Sequence, residues 1–149
     1  MKIRLIINGY KKDVEVAPDE YLLDTLRELN YLSVKRGCET TSCGVCAVLL
    51  DGAPIPSCSY LSVKAEGHEI TTVEGIQKEA QRIADFFGKE GADQCGYCNP
   101  SFALTVYAMK KELHHPSDEE IRKYLVGNLC RCTGYVSQHK AIKAYMEVE

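Results

Sequence analysis

The chain has 149 residues, enough for one ordinary domain or two small ones. Its 45% hydrophobic and 26% charged residues are typical of a soluble globular protein. A formal net charge of −3 argues against a nucleic-acid binder, and no apolar run approaches the roughly 18–20 residues that span a bilayer.

The N-terminus alternates, with Ile3, Leu5 and Ile7 on one side, so Lys2 to Asn8 reads as a strand. It lacks the apolar core and cleavage site of a signal peptide, so cytoplasmic residence is expected. Asn8-Gly9 is a type I′ hairpin signal, and Lys11 to Val16 returns as a second strand. Leu22, Leu23, Leu26 and Leu29 recur at helical spacing between about Asp19 and Asn30. Ser33 to Cys46 is a loop carrying glycine and cysteine. Ala47 to Leu50 reads as an apolar strand, and Asp51-Gly52 is a second hairpin signal. Two prolines bar Ala53 to Pro56 from the centre of a sheet. Cys58 to Val63 and Glu69 to Val73 read as further short strands.

The pattern changes near Glu74-Gly75, after which helical spacing dominates. Helices are expected over Ile76 to Glu90, Pro100 to Leu113, from Ser117, and over Gly134 to about Val148. Pro100 suits a first turn, Ser117-Asp118-Glu119-Glu120 is a capping box, and Gly127 is a stop signal. The reading is α+β: a small mixed sheet crossed by a helix over residues 1–75, then an all-helical unit over 76–149. Cores this small usually need a staple, and a metal centre in each half would supply one.

Eight cysteines is the outlying number. A secreted mini-protein would pair them as disulfides, whereas in a reducing compartment they stay free to bind metal. Cys38-x4-Cys43-x2-Cys46, with eleven residues before Cys58, has the spacing of a plant-type 2Fe–2S loop. Gly37 and Gly44 let the backbone turn around such a cluster. A four-cysteine zinc site is the alternative, but zinc knuckles favour Cys-x2-Cys pairs. The second set is Cys95-x2-Cys98 and Cys130-x-Cys132, with 31 residues between the pairs. Zinc competes evenly with a cluster here, and Cys-x-Cys tilts the balance slightly toward the cluster. A thioredoxin-like role for Cys95-Gly96-Tyr97-Cys98 fits less well, because no strand precedes it.

The combination resembles the small iron–sulfur subunit of the molybdenum hydroxylases, the family of xanthine dehydrogenase, aldehyde oxidoreductase and carbon monoxide dehydrogenase. The resemblance spans essentially the whole length. It rests on the eight cysteines, on Gln94-Cys95-Gly96-Tyr97-Cys98, and on the run from Gly127 through Cys130-Arg131-Cys132 to Tyr135. It implies an N-terminal β-grasp ferredoxin-like domain and a C-terminal four-helix bundle, each with a 2Fe–2S cluster. The metal ligands would be Cys38, Cys43, Cys46 and Cys58, then Cys95, Cys98, Cys130 and Cys132. It also implies a large molybdopterin-binding subunit and a medium FAD-binding subunit, in a heterotrimer or its dimer. Gln94 and Cys132 would lie nearest the pterin. The chain itself would relay electrons and carry no catalytic site. Thr41 stands where the family usually has glycine, and Asn99-Pro100-Ser101 where it usually has Thr-Pro-Gly. Both departures bear on local backbone geometry and hence on cluster potential.

Four scattered histidines are read as surface or packing residues, since eight cysteines suffice for two clusters. Two oxidised clusters would take the net charge from −3 to about −7, which gives Arg131 a compensating role. A freestanding ferredoxin-like carrier and a zinc-stapled interaction module are the competing readings. Co-purification with large partners and metal content separate them.

Overall fold

The computed structural model describes residues 1–148; Glu149, the last residue of the expected helical unit, lies outside the described residues. The strands are β1 (Lys2–Ile7), β2 (Tyr10–Glu15), β3 (Ala47–Leu50), β4 (Ala53–Pro56) and β5 (Glu69–Thr71). The helices are α1 (Leu22–Glu28), α2 (Gln77–Lys89), α3 (Asn99–Glu112), α4 (Asp118–Tyr124) and α5 (Val136–Glu147).

The strands form one mixed sheet in the order β2-β1-β5-β3-β4. Both hairpin signals turn as expected: Asn8 and Asp51 sit at φ +51° and +48°, each ahead of a glycine. β1 and β2 pair antiparallel, with Ile3 opposite Val14, while β1 and β5 run parallel. The proline-bearing β4 lies on the sheet edge, where its missing donors cost nothing.

One expectation fails. Cys58 to Val63 is not a strand but parts of two 3-10 turns, Ser57–Ser59 and Ser62–Ala65. Serines drive the chain off the sheet there. The buried Ser57 hydroxyl donates to the Cys46 carbonyl at 2.6 Å, and Ser62 N–H donates to the Glu20 carbonyl at 2.9 Å. Backbone groups satisfied this way have no need of a neighbouring strand.

Two cores share a seam. Ile3, Leu5 and Ile7 of β1 pack with Leu22, Leu23 and Leu26 of α1 on one face of the sheet. On the other face, Leu49 of β3 meets Leu104 and Ala108 of α3. α3 is buried nearly all round, from Ser101 to Val106 and at Ala108 and Met109. Such a helix belongs at the centre of a packed structure rather than on its surface. Its remaining faces pack with Ile83, Phe87, Ile142 and Tyr145 of α2 and α5. Ser117 caps α4 in a complete capping box with Glu120.

The change to helices is pinned by Asn8. Its carboxamide accepts from the Thr72 N–H and donates to the Thr72 hydroxyl, both at 2.9 Å, and Thr72 is fully buried. Asn8→Ala removes both bonds, orphans a buried N–H and leaves alanine at positive φ. We expect a loss of about 2–3 kcal/mol in chemical denaturation.

Candidate metal centres

The first cysteine set sits on the long loop between α1 and β3 and on the turn after β4. Its sulfurs fall in two pairs, Cys38 with Cys43 and Cys46 with Cys58. Ser42 N–H points at Cys38 Sγ (3.4 Å) and Val45 N–H at Cys43 Sγ (3.5 Å). Backbone N–H groups of Cys43, Thr40 and Ser42 hold the Cys38 thiol down to about 6. Burial pushes Cys46 up to about 11.

The second set lies at the start of α3 and in the loop before α5. It pairs as Cys95 with Cys132, 3.6 Å apart, and Cys98 with Cys130. Tyr97 N–H points at Cys95 Sγ (3.5 Å) and the Thr133 hydroxyl at Cys130 Sγ (3.3 Å). Burial opposes ionisation of Cys130. The Thr133 hydroxyl and the N–H groups of Cys132 and Thr133 outweigh it and leave that thiol at about 7. Cys98, buried at the N-cap of α3, is pushed up to about 12. Cys95 and Cys132 are exposed, as is Gln94 beside them.

All eight cysteines are free. Among the described residues, no three His, Cys, Asp or Glu side chains converge as a single metal ion requires. Each four-sulfur set instead presents two pairs of neighbouring sulfurs, which suits a two-iron cluster with two cysteine sulfurs per iron. N–H and O–H donors aimed at sulfur fit the same group, because they favour thiolate over thiol. The residues present therefore fit 2Fe–2S clusters.

The two sets meet across one cleft of about 750 Å³, lined by Cys38 and Cys43 on one side and Cys95, Cys98, Cys130 and Cys132 on the other. Leu129 N–H donates to the Cys43 carbonyl at 2.9 Å. Gly44, at φ +73°, lies so close that a Cβ there would stand 2.0 Å from the Gly127 carbonyl oxygen. Tyr97 also bridges the halves. Its hydroxyl donates to the Arg36 carbonyl at 2.7 Å, and Lys35 Nζ lies 4.7 Å from its ring centroid.

Thr41, Asn99 and Ser101 each lie close to a cysteine of one of the two sets. Thr41 occupies a left-handed position, φ +57°, which explains why glycine is usual there. Its hydroxyl oxygen lies 3.9 Å from Cys58 Sγ. Asn99 donates to Asp93 at 2.7 Å, and the buried Ser101 hydroxyl donates to the Cys98 carbonyl at 2.9 Å. Arg131 lines the cleft and is exposed. His68 pairs with Asp51 at 2.6 Å in the second hairpin.

Sequence reading missed two supporting residues. Tyr135 adopts φ +71°, and its phenol oxygen accepts from the Cys130 N–H at 3.0 Å, tying down the Cys130–Cys132 loop. Gln138, fully buried, points Nε2 at Cys98 Sγ from 3.9 Å. Its signal was available, since it stands on the otherwise apolar stripe of Ala141, Ile142 and Tyr145.

Comparison with known proteins matches two domain families. Residues 5–83 match a 2Fe-2S iron-sulfur cluster binding domain, and residues 72–143 a 2Fe-2S binding domain. The chain is 39% identical over 148 residues to the nicotinate dehydrogenase small FeS subunit of Eubacterium barkeri, covering 97% of this chain and 94% of that one. It is 44% identical over 140 residues to the xanthine dehydrogenase iron-sulfur-binding subunit of Escherichia coli O157:H7, covering 89% and 86%. Among solved structures it resembles quinoline 2-oxidoreductase of Pseudomonas putida 86, with TM-score 0.89 and 41% identity over 96% of this chain and 90% of that one. The aldehyde oxidoreductase of Desulfovibrio desulfuricans ATCC 27774 gives TM-score 0.88 and 36% identity over 95% of this chain, which corresponds to 16% of that longer chain.

A β-branched residue in the left-handed region costs about 1–2 kcal/mol, and glycine returns about 0.5–1 kcal/mol of that in chain entropy. Thr41→Gly should therefore fold with its metal content intact and melt at or slightly above the wild-type temperature. A clear fall would show that the hydroxyl beside Cys58 contributes more than the strain costs.

Proposed function

The chain belongs to the family of small iron–sulfur subunits of the molybdenum hydroxylases, and from that premise we propose the arrangement of its clusters and partners. It is an electron-transfer subunit of an oxidoreductase complex. Residues 1–75 form a β-grasp ferredoxin-like domain holding one 2Fe–2S cluster on Cys38, Cys43, Cys46 and Cys58. The unit that begins at residue 76 is a four-helix bundle holding the second on Cys95, Cys98, Cys130 and Cys132. The neighbouring sulfur pairs would supply each iron with two ligands.

When bound, the two clusters accept and pass on single electrons, carrying them from a molybdopterin on a large partner subunit toward FAD on a medium one. The chain's own residues set the path. The observation that carries this reading is the Leu129 N–H to Cys43 C=O bond, because it joins a ligand of one set to the residue preceding a ligand of the other. Backbone N–H groups and the Thr133 hydroxyl favour the thiolate form of the ligands. The exposed Cys95–Cys132 pair, with Gln94 beside it, is where the large subunit would approach, and the Gln94 amide is free to hydrogen-bond a pterin.

Substrate choice lies with the large subunit. Among the described residues, no helix is long and apolar enough to cross a membrane. Eight free thiols suit a reducing compartment, and we place the assembly, a heterotrimer or its dimer, in the cytoplasm. Native purification tests the subunit role. Co-elution with two larger chains carrying molybdenum and flavin supports it, whereas a chain that always elutes alone would favour a freestanding carrier.

The junction gives a sharper prediction. Gly44→Ala forces Cβ into the Gly127 carbonyl at a left-handed position, and should destabilise the protein by about 2–4 kcal/mol. In loaded, fully reduced protein the magnetic interaction between the clusters should weaken in EPR, at unchanged iron content. An unaltered interaction would show that the Leu129–Cys43 contact does not govern their coupling.

A further inference from the structure

α5 carries Gln138, Ala141, Ile142 and Tyr145 along one stripe, and all four are buried. Three of them are ordinary core residues. Gln138 is a carboxamide with no exposed surface, and burying one is unfavourable unless its hydrogen bonds are made. Among the described residues its only partner is Cys98 Sγ, 3.9 Å from Nε2, and Oε1 has none. A neutral thiol is a poor acceptor, whereas a metal-bound thiolate accepts strongly. The placement of the Nε2 donor against this sulfur suits a Cys98 that serves as an iron ligand.

We propose that Gln138 is a positioning and tuning residue for the C-terminal cluster: its Nε2–H donates to the Cys98 sulfur and raises the potential at which that cluster is reduced. The proposal rests on the reading of Cys98 as an iron ligand. One-electron reduction, by dithionite in a titration, adds one negative charge shared among iron, sulfide and thiolate. An N–H dipole aimed at a ligand sulfur stabilises that added charge and so favours the reduced state. The donor is also dry. Cys98 is buried and Gln138 wholly so, and an N–H to sulfur bond is strongest where water cannot compete for either atom. Gln138 has no exposed surface, so its contacts lie within this chain.

Wild type, Gln138→Leu and Gln138→Met are compared in the loaded protein by redox titration followed with EPR. Both variants keep the side-chain bulk and lose the donor. Iron and sulfide content should stay at the wild-type level. One of the two EPR signals should titrate at a lower potential in both variants, with the other unmoved. Thermal stability should not fall, because an apolar side chain removes the orphaned Oε1. Unchanged midpoints in loaded variants would overturn the proposal, as would an equal shift of both signals. Loss of one cluster from both variants would also overturn it, leaving Gln138 as a scaffold residue. Wild type that binds no clusters would instead overturn the functional reading on which the proposal stands.

Discussion

Two cysteine loops, far apart in the chain, meet at a contact that leaves no room for a side chain. Gly44 lies against the Gly127 carbonyl, and the Cys43 carbonyl, one residue before Gly44, accepts from the N–H of Leu129, two residues after Gly127. Much of the fold serves to hold that approach. β3 leads out of the first loop directly onto α3, and the α3 face bearing Leu104 and Ala108 packs under Leu49. Val45, from the N-terminal loop, is part of the helical core rather than of the sheet's own core. Each half supplies its own four cysteines, but the first loop is packed in part on the core of the other half.

Charge is the second constraint. Four thiolates in a small volume repel one another, and burial makes this worse, as the raised Cys46 and Cys98 thiols indicate. The chain answers with dipoles more than with cations. Backbone N–H groups converge on Cys38, the Thr133 hydroxyl and neighbouring N–H groups on Cys130, and a buried carboxamide faces Cys98. Iron bound by these sulfurs would complete the balance, since coordination deprotonates a thiol outright. Burial also grades the second set from the inside outward, from buried Cys98 to exposed Cys95 and Cys132. That gradient leads from the helical core to the surface, which is the geometry a relay between proteins needs.

Much of this was legible in the sequence because it is local. Asn8-Gly9 and Asp51-Gly52 dictate their own turns, Ser117 and Glu120 cap their own helix, and the cysteine spacings report loops that wrap a cluster. What escaped depends on distant neighbours. Cys58 to Val63 alternates like a strand, but serines at 57 and 62 find backbone partners at Cys46 and Glu20, which no local pattern announces. The mutual contact of Gly44 and Gly127 is likewise invisible until the halves are docked. Thr41 was recognisable as a departure, and its left-handed backbone supplies the reason glycine is usual there. Gln138 lay in plain view on an apolar stripe, but its meaning required knowing that Cys98 faces it.

The central claim is that the eight cysteines hold two 2Fe–2S clusters in unlike surroundings. The most direct measurement is an assay of iron, acid-labile sulfide and zinc on protein purified without air, with low-temperature EPR after dithionite reduction. The account predicts about four irons and four sulfides per chain and two distinguishable S = ½ signals. Zinc without sulfide, and no EPR signal, would contradict it and leave a zinc-stapled interaction module in its place.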